Sequence, residues 1–256
     1  MTRFVRCLVD GEPTYGTVEG EEVALIDPHP FTTYRATGQR VPLEGLRLLA
    51  PVIPSKIVAV GRNYRDHARE LGNDVPSTPL YFLKPSTAVV GPGDIVLLPS
   101  DLSDEIHFEG EVAVVIGALL SRVSPEVAAK GILGVTCAND LTLRDLQRSD
   151  EQWTRAKGFD TSCPLGPAIA TGLDLADLRV RTWVDDELVQ DGSTSDLVFD
   201  IPTLVADISR IMTLLPGDVL LTGTPAGVGP VRDGQRVRVE VEGVGSLENL
   251  MRDRDR

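Results

Sequence analysis

The apolar positions of this chain fall mostly into short runs of strand length, with a few stretches of helical spacing between them. Near the N-terminus, residues 4–9 and 15–19 read as strands around the turn Asp10-Gly11-Glu12-Pro13. Further apolar runs over 56–60, 80–83, 94–98, 111–116, 132–137, 179–184, 218–222 and 235–241 predict more strands. Ser124-Pro125-Glu126 sets up a helix start, with serine at the cap and proline in the first turn. A second helix opens at Pro202, where Leu204, Val205, Ile208 and Ile211 recur at helical spacing, and Leu214-Leu215-Pro216-Gly217-Asp218 stops it. Many strands and few helices, without regular βα alternation, predict an α+β fold that is mostly β. Residues 1–50 read as a small N-terminal β-rich module. The run Leu49-Ala50-Pro51-Val52-Ile53-Pro54 reads as an extended linker into a main domain over 54–250.

The 256 residues suffice to bury a sizeable core without staples. No apolar run reaches bilayer-spanning length, and the first residues carry no signal-peptide core, so no membrane is expected. The three cysteines, Cys7, Cys137 and Cys163, are far apart, which argues against a disulfide framework or zinc cluster and for a reducing cytoplasm. A net charge of −13 excludes nucleic acid as an expected partner. An anionic substrate would need a local positive centre in such a chain, which turns attention to metal ligands.

His107-Phe108-Glu109-Gly110-Glu111 leads an apolar run and reads as one strand, with His107, Glu109 and Glu111 on one face. Like charges side by side on a sheet repel, and a divalent cation is one way to offset that; a solvated strand edge is the other. A second apolar run ends in Asp140, placed to point into a site or to cap the polar helix that follows. Together the three carboxylates would make an all-oxygen set of the kind hard cations take, whereas zinc would recruit His or Cys. His67 and Glu70 stand three residues apart, neighbours on a helix that also carries Arg62, Arg65, Asp66 and Arg69 nearby; a surface ion pair explains them as well as catalysis does. Lys157 alone reads as a solvent-facing lysine, and Gly223-Thr224 as part of a tight Gly-rich turn.

Six stretches, GRNYRDHARELG (61–72), YFLKPSTAVVGPGD (81–94), FEGEVAVVIG (108–117), NDLTLRDLQ (139–147), WTRAKGFDTSCPLGP (153–167) and LLPGDVLLTGTPAGVGP (214–230), resemble the fumarylacetoacetate hydrolase family over most of residues 54–250. The resemblance implies a mixed β-roll with flanking short helices behind a small N-terminal module, and a homodimer. It implies that Glu109, Glu111 and Asp140 hold Mg²⁺ or Mn²⁺, with Ca²⁺ as a substitute in crystals. His67 and Glu70 match an acid–base pair on a lid, and Lys157 the family's catalytic lysine. Arg62, Gln147, Gly223 and Thr224 are the expected substrate contacts. The smaller members resembled include acylpyruvate hydrolases, oxaloacetate decarboxylases, isomerases of 2-hydroxyhepta-2,4-diene-1,7-dioate and decarboxylases of 5-oxopent-3-ene-1,2,5-tricarboxylate. All act on small 2-oxo acids through an enolate whose charge develops beside the ion. The expectation is C–C hydrolysis of an acylpyruvate or decarboxylation of oxaloacetate; isomerisation in aromatic catabolism and non-catalytic binding of a 2-oxo acid are the alternatives. The segment joining Asp140 to Lys157 is a few residues shorter than in the acylpyruvate enzymes, which weakens assignment of one substrate.

Overall fold

A computed structural model describes residues 1–70 and 76–254, with backbone only at residues 67–69. Strands dominate it. The N-terminal residues form a meander of four antiparallel strands, Arg3–Val9, Glu12–Glu19, Glu22–Asp27 and Arg35–Pro42. The expected turn falls at Asp10 and Gly11, both at positive φ (52° and 85°), the two-residue geometry that matches strand twist. These strands do not stand apart from the rest. Arg3–Val9 pairs antiparallel with Cys163–Ala170, and the large sheet continues through Ile132–Asn139, Gly110–Ile116, Val219–Leu221 and Ile57–Gly61 to the edge strand Leu80–Lys84.

Gly110–Ile116 is buried at every residue. A central strand covered on both faces needs a continuous apolar run rather than alternation, which is what Val112 to Ile116 supplies. Its even positions, Val112, Val114 and Ile116, join Val135 and Cys137 in a core shared with Val180, Val237, Val239, Leu247 and Met251. The latter residues come from a second sheet, ordered Glu187–Ser193, Arg179–Val184, Arg236–Val241, Gly245–Asp253, Ile95–Leu98. Its odd positions Ala113 and Val115 face a second cluster with Ile57, Ala59, Leu165, Ile169, Phe4 and Ile26, gathered from strands across the whole large sheet, so the sheet curls around this face. Gly110 sits where the two sheets touch: a Cβ there would lie 1.9 Å from Thr182 Oγ1.

Two helices cover one end. Ile201–Ile211 has proline in its first turn and Asp200 as its cap, accepting from Thr203 N at 2.8 Å. It buries Ile201, Leu204, Val205 and Ile208, one apolar stripe, and packs against Pro125–Gly131. No helix among the described residues is long and apolar enough to cross a membrane.

The structure corrects one expected strand. Residues 107–116 are not continuous. Ile106–Phe108 belongs to a small three-stranded sheet with Thr142–Leu143 and Gly229–Pro230, and the chain passes into the large sheet at Gly110. His107 therefore leaves the row of Glu109 and Glu111. It lies half-buried, 3.9 Å from Glu105.

Candidate metal centre

Pairing register assembles the site. Glu111 stands opposite Ala138 and Gly110 opposite Asn139 in the antiparallel pair, so Glu109 falls beside Asp140. The backbone locks this: Asp140 N donates to Glu109 O at 2.8 Å, and Glu109 N donates to Asn139 Oδ1 at 3.0 Å. The Gln190 side-chain oxygen accepts from Gly110 N at 2.9 Å. The three carboxylates are 5%, 2% and 1% exposed, and each brings one oxygen within 4.8 Å of the others.

Three buried negative charges this close would drive one another apart without compensation. Three buried cations provide it. Lys157 Nζ donates to Glu109 Oε2 at 2.8 Å and Asp140 Oδ2 at 2.7 Å. Lys84 Nζ donates to Asp140 Oδ1 at 2.7 Å and to the Lys157 carbonyl. Arg144 Nη2 lies 2.6 Å from Glu109 Oε1, and its Nη1 donates to Gln147 Oε1 at 2.8 Å. Glu111 accepts from the Gly223 N–H at 2.7 Å and forms no ion pair among the described residues. Burial, then the charges of Asp140 and Glu109, push the Glu111 carboxyl well above the usual range despite Lys157. Burial works against the charge of Lys157, but Asp140 and Glu109 outweigh it and hold the amine above its ordinary value.

A cavity of about 350 Å³ opens over the cluster. Glu109, Glu111 and Lys157 line its floor. Val60, Gly61, Phe82 and Trp153 form an apolar wall, the two rings edge to face at 5.4 Å. Arg62, Arg144, Gln147, Arg148 and Thr224 complete it. Buried Arg144 keeps its Nε and Nη2 without a hydrogen-bond partner among the described residues, the Nη2 meeting Glu109 by charge and not in hydrogen-bond alignment. Asn63 clamps the rim: its Nδ2 donates to Thr222 O at 2.9 Å and its Oδ1 accepts from Phe199 N at 2.9 Å. Beside it Arg62 is held at φ 60°, a conformation few side chains adopt.

The residues fit a hard divalent cation. The donors are all carboxylate oxygens, converging and buried, and one of them is destabilised by the other two. The family described as "Fumarylacetoacetate (FAA) hydrolase C-terminal" matches residues 56–252, and one described as "Rv2993c-like, N-terminal" matches residues 2–51. This chain belongs to the fumarylacetoacetate hydrolase family. Oxaloacetate tautomerase YisK of Bacillus subtilis is 41% identical over 221 residues, which cover 81% of this chain and 73% of that protein. The solved structure of 2-hydroxyhepta-2,4-diene-1,7-dioate isomerase from Mycobacterium marinum superposes with a TM-score of 0.93 at 44% identity, covering 100% of both chains. Maleylpyruvate hydrolase from Sphingobium sp. SYK-6, solved with manganese(II) and pyruvate, gives a TM-score of 0.81 at 33% identity over 98% of this chain and 99% of that one. The two solved relatives share the fold of this fumarylacetoacetate hydrolase family member, and all three relatives differ in the reaction named for them.

The sequence-assigned residues fall into several places. Glu109, Glu111, Asp140 and Lys157 meet, and Arg62 and Gln147 line the cavity. The Gly223 N–H donates to Glu111 Oε2. Thr224 lines the cavity too, and its hydroxyl donates to Gly110 O at 2.9 Å and accepts from Gln190 Nε2 at 2.7 Å. Glu70 ends the short helix Arg65–Glu70, exposed, accepting from Gly227 N at 3.1 Å. The side chain of His67 lies outside the described residues. Lys84, Arg144, Asn63 and Gln190 escaped the reading of the sequence. Only Lys84 left a signal there, a charge closing the apolar run Tyr81-Phe82-Leu83.

Proposed function

We propose that this protein is a divalent-metal-dependent enzyme that forms and reprotonates the enolate of a short 2-oxo acid. The observation that carries this reading is the buried trio Glu109, Glu111 and Asp140 with Lys157 between two of its members. A hard dication held there supplies Lewis-acid stabilisation to an enolate oxygen. The chain's own residues do the rest. Arg144, buried with an unpartnered Nε at the cavity, anchors a substrate carboxylate. Lys157 places a buried ammonium at the floor, where it orients the substrate and carries a proton at Nζ. Phe82 and Trp153 exclude water on one side and fit a short carbon chain.

Proton transfer next to the ketone, as in a tautomerase or isomerase, needs no water nucleophile, and the described residues suffice for it. Two relatives are named for such reactions. Decarboxylation of oxaloacetate passes through the same enolate. Hydrolysis of an acylpyruvate is the second reading. It is favoured by the seating of Glu70 on the Gly227 amide, which brings the His67–Glu70 helix to the loop beside the cavity. One panel tests both. Enol–keto conversion of oxaloacetate, CO₂ loss from it, and pyruvate release from acylpyruvates are each measured with Mn²⁺ and with excess chelator. Chelator-sensitive turnover of at least one substrate is expected; its absence across the panel would sink the proposal. His67→Ala then separates the readings, because hydrolysis collapses without an activated water while enolate chemistry persists.

A further inference from the structure

Each carboxylate of the cluster has an oxygen against a cation or N–H of the protein, and in Glu109 and Asp140 both oxygens are so placed. Glu109 Oε1 faces Arg144 Nη2 at 2.6 Å, Glu111 Oε2 accepts from the Gly223 amide at 2.7 Å, and Asp140 Oδ1 accepts from Lys84 Nζ at 2.7 Å. The second oxygens of Glu109 and Asp140 face Lys157 instead. Asp140 thus has one oxygen on Lys84 and the other on Lys157, so an ion that takes the Lys157-facing oxygen meets Asp140 by one atom unless Lys84 lets go.

Lys84 is the firmest of these holds. It closes the strand Leu80–Lys84, its side chain is 0% exposed, and its ammonium is fixed at two points, Asp140 Oδ1 and the Lys157 carbonyl. Ser162 Oγ grips the same carbonyl at 2.9 Å. The ammonium therefore has no room to follow the carboxylate if Asp140 turns. Ca²⁺ takes six to eight oxygens and readily recruits both oxygens of a carboxylate, whereas Mg²⁺ demands near-octahedral geometry and keeps several waters. A set giving one oxygen from each carboxylate would leave room at such an ion for water or substrate.

We propose that Lys84 is a positioning residue that confines Asp140 to one ligand oxygen and so biases the centre toward a six-coordinate ion, Mg²⁺ or Mn²⁺, over Ca²⁺. This rests on the cluster being a metal centre. The test is calorimetric titration of the full chain and of Lys84→Met with MnCl₂ and with CaCl₂. Loss of the ammonium strengthens the attraction for both dications alike, so neither affinity alone decides; their ratio does. Wild type is expected to prefer Mn²⁺, and the ratio of the Ca²⁺ to the Mn²⁺ dissociation constant should fall about tenfold in the variant, the scale at which groups behind metal ligands act. A fold defect weakens both ions together, so an unchanged ratio in a variant that binds both would overturn the role of Lys84 while leaving the metal centre standing. Wild type binding neither ion would overturn both. Should Lys84→Met not fold, the Mn²⁺-bound wild-type crystal structure decides: Asp140 on the ion by one oxygen with Oδ1 on Lys84 supports the proposal, and chelation by both oxygens refutes it.

Discussion

Replacing Glu111 by glutamine should stabilise the metal-free protein and abolish its response to metal. Glu111 is 2% exposed, with Glu109 and Asp140 beside it and one amide hydrogen bond to support its charge. Glutamine keeps that bond through its carbonyl oxygen and offers the two neighbouring carboxylates an N–H. The linkage has a definite sign. The folded-state pKa of Glu111 lies above the ordinary 4.5. Between those two values the native state holds a proton that the unfolded chain has released, so stability falls as pH rises through that window. One proton corresponds to at most about 1.4 kcal/mol per pH unit. A chain of 256 residues unfolds with an entropy near 0.5 kcal/mol/K, taking about 2.1 cal/mol/K per residue, so the slope is about 2.5 °C in Tm per pH unit. Metal at about a hundred times its dissociation constant adds about 2.7 kcal/mol, or about 5 °C. The assay is thermal unfolding of both proteins from pH 4 to pH 8, in chelator and in Mn²⁺. The difference between them isolates Glu111 from partly exposed carboxylates such as Glu105 and Asp150, whose arginine partners lower their pKa values. The variant should match wild type near pH 4, exceed it in chelator at pH 8, and gain little from Mn²⁺. A metal-free variant less stable than wild type at pH 8, or one that keeps the full Mn²⁺ shift, would refute the reasoning.

Two further outcomes follow from burial and charge. Lys157→Met removes the ammonium from between Glu109 and Asp140; turnover should drop by about 10²–10⁴, while Mn²⁺ affinity measured by calorimetry holds or tightens, since a cation has left the cluster. Burial raises the Cys7 thiol and pushes Cys137 and Cys163 up to about 12. At pH 8 the latter pair is thiolate about one time in ten thousand, so native protein should react with a thiol-disulfide reagent only as fast as it unfolds; rapid labelling of either would contradict their burial.

Local sequence determined the elements. The runs at 111–116 and 132–137 are of strand length and rich in β-branched residues, and the Pro202 helix was readable from its proline and stripe. The spacing Glu109-x-Glu111 put two carboxylates on one face wherever that strand lay. What the sequence left open was partnership. Only the register of Gly110–Ile116 on Ile132–Asn139 brings Asp140 to Glu109, and only the curling of the large sheet brings the edge-strand residue Lys84 under it. Nor could spacing reveal that the Gly223 amide and the Thr224 hydroxyl turn inward, because that depends on a loop meeting a strand more than a hundred residues away. Periodicity is a property of neighbours along the chain and survives in any fold. A hydrogen bond between remote residues exists only after packing has fixed both ends, which is why the Glu109–Glu111 pair was legible in the sequence and the groups around it were not.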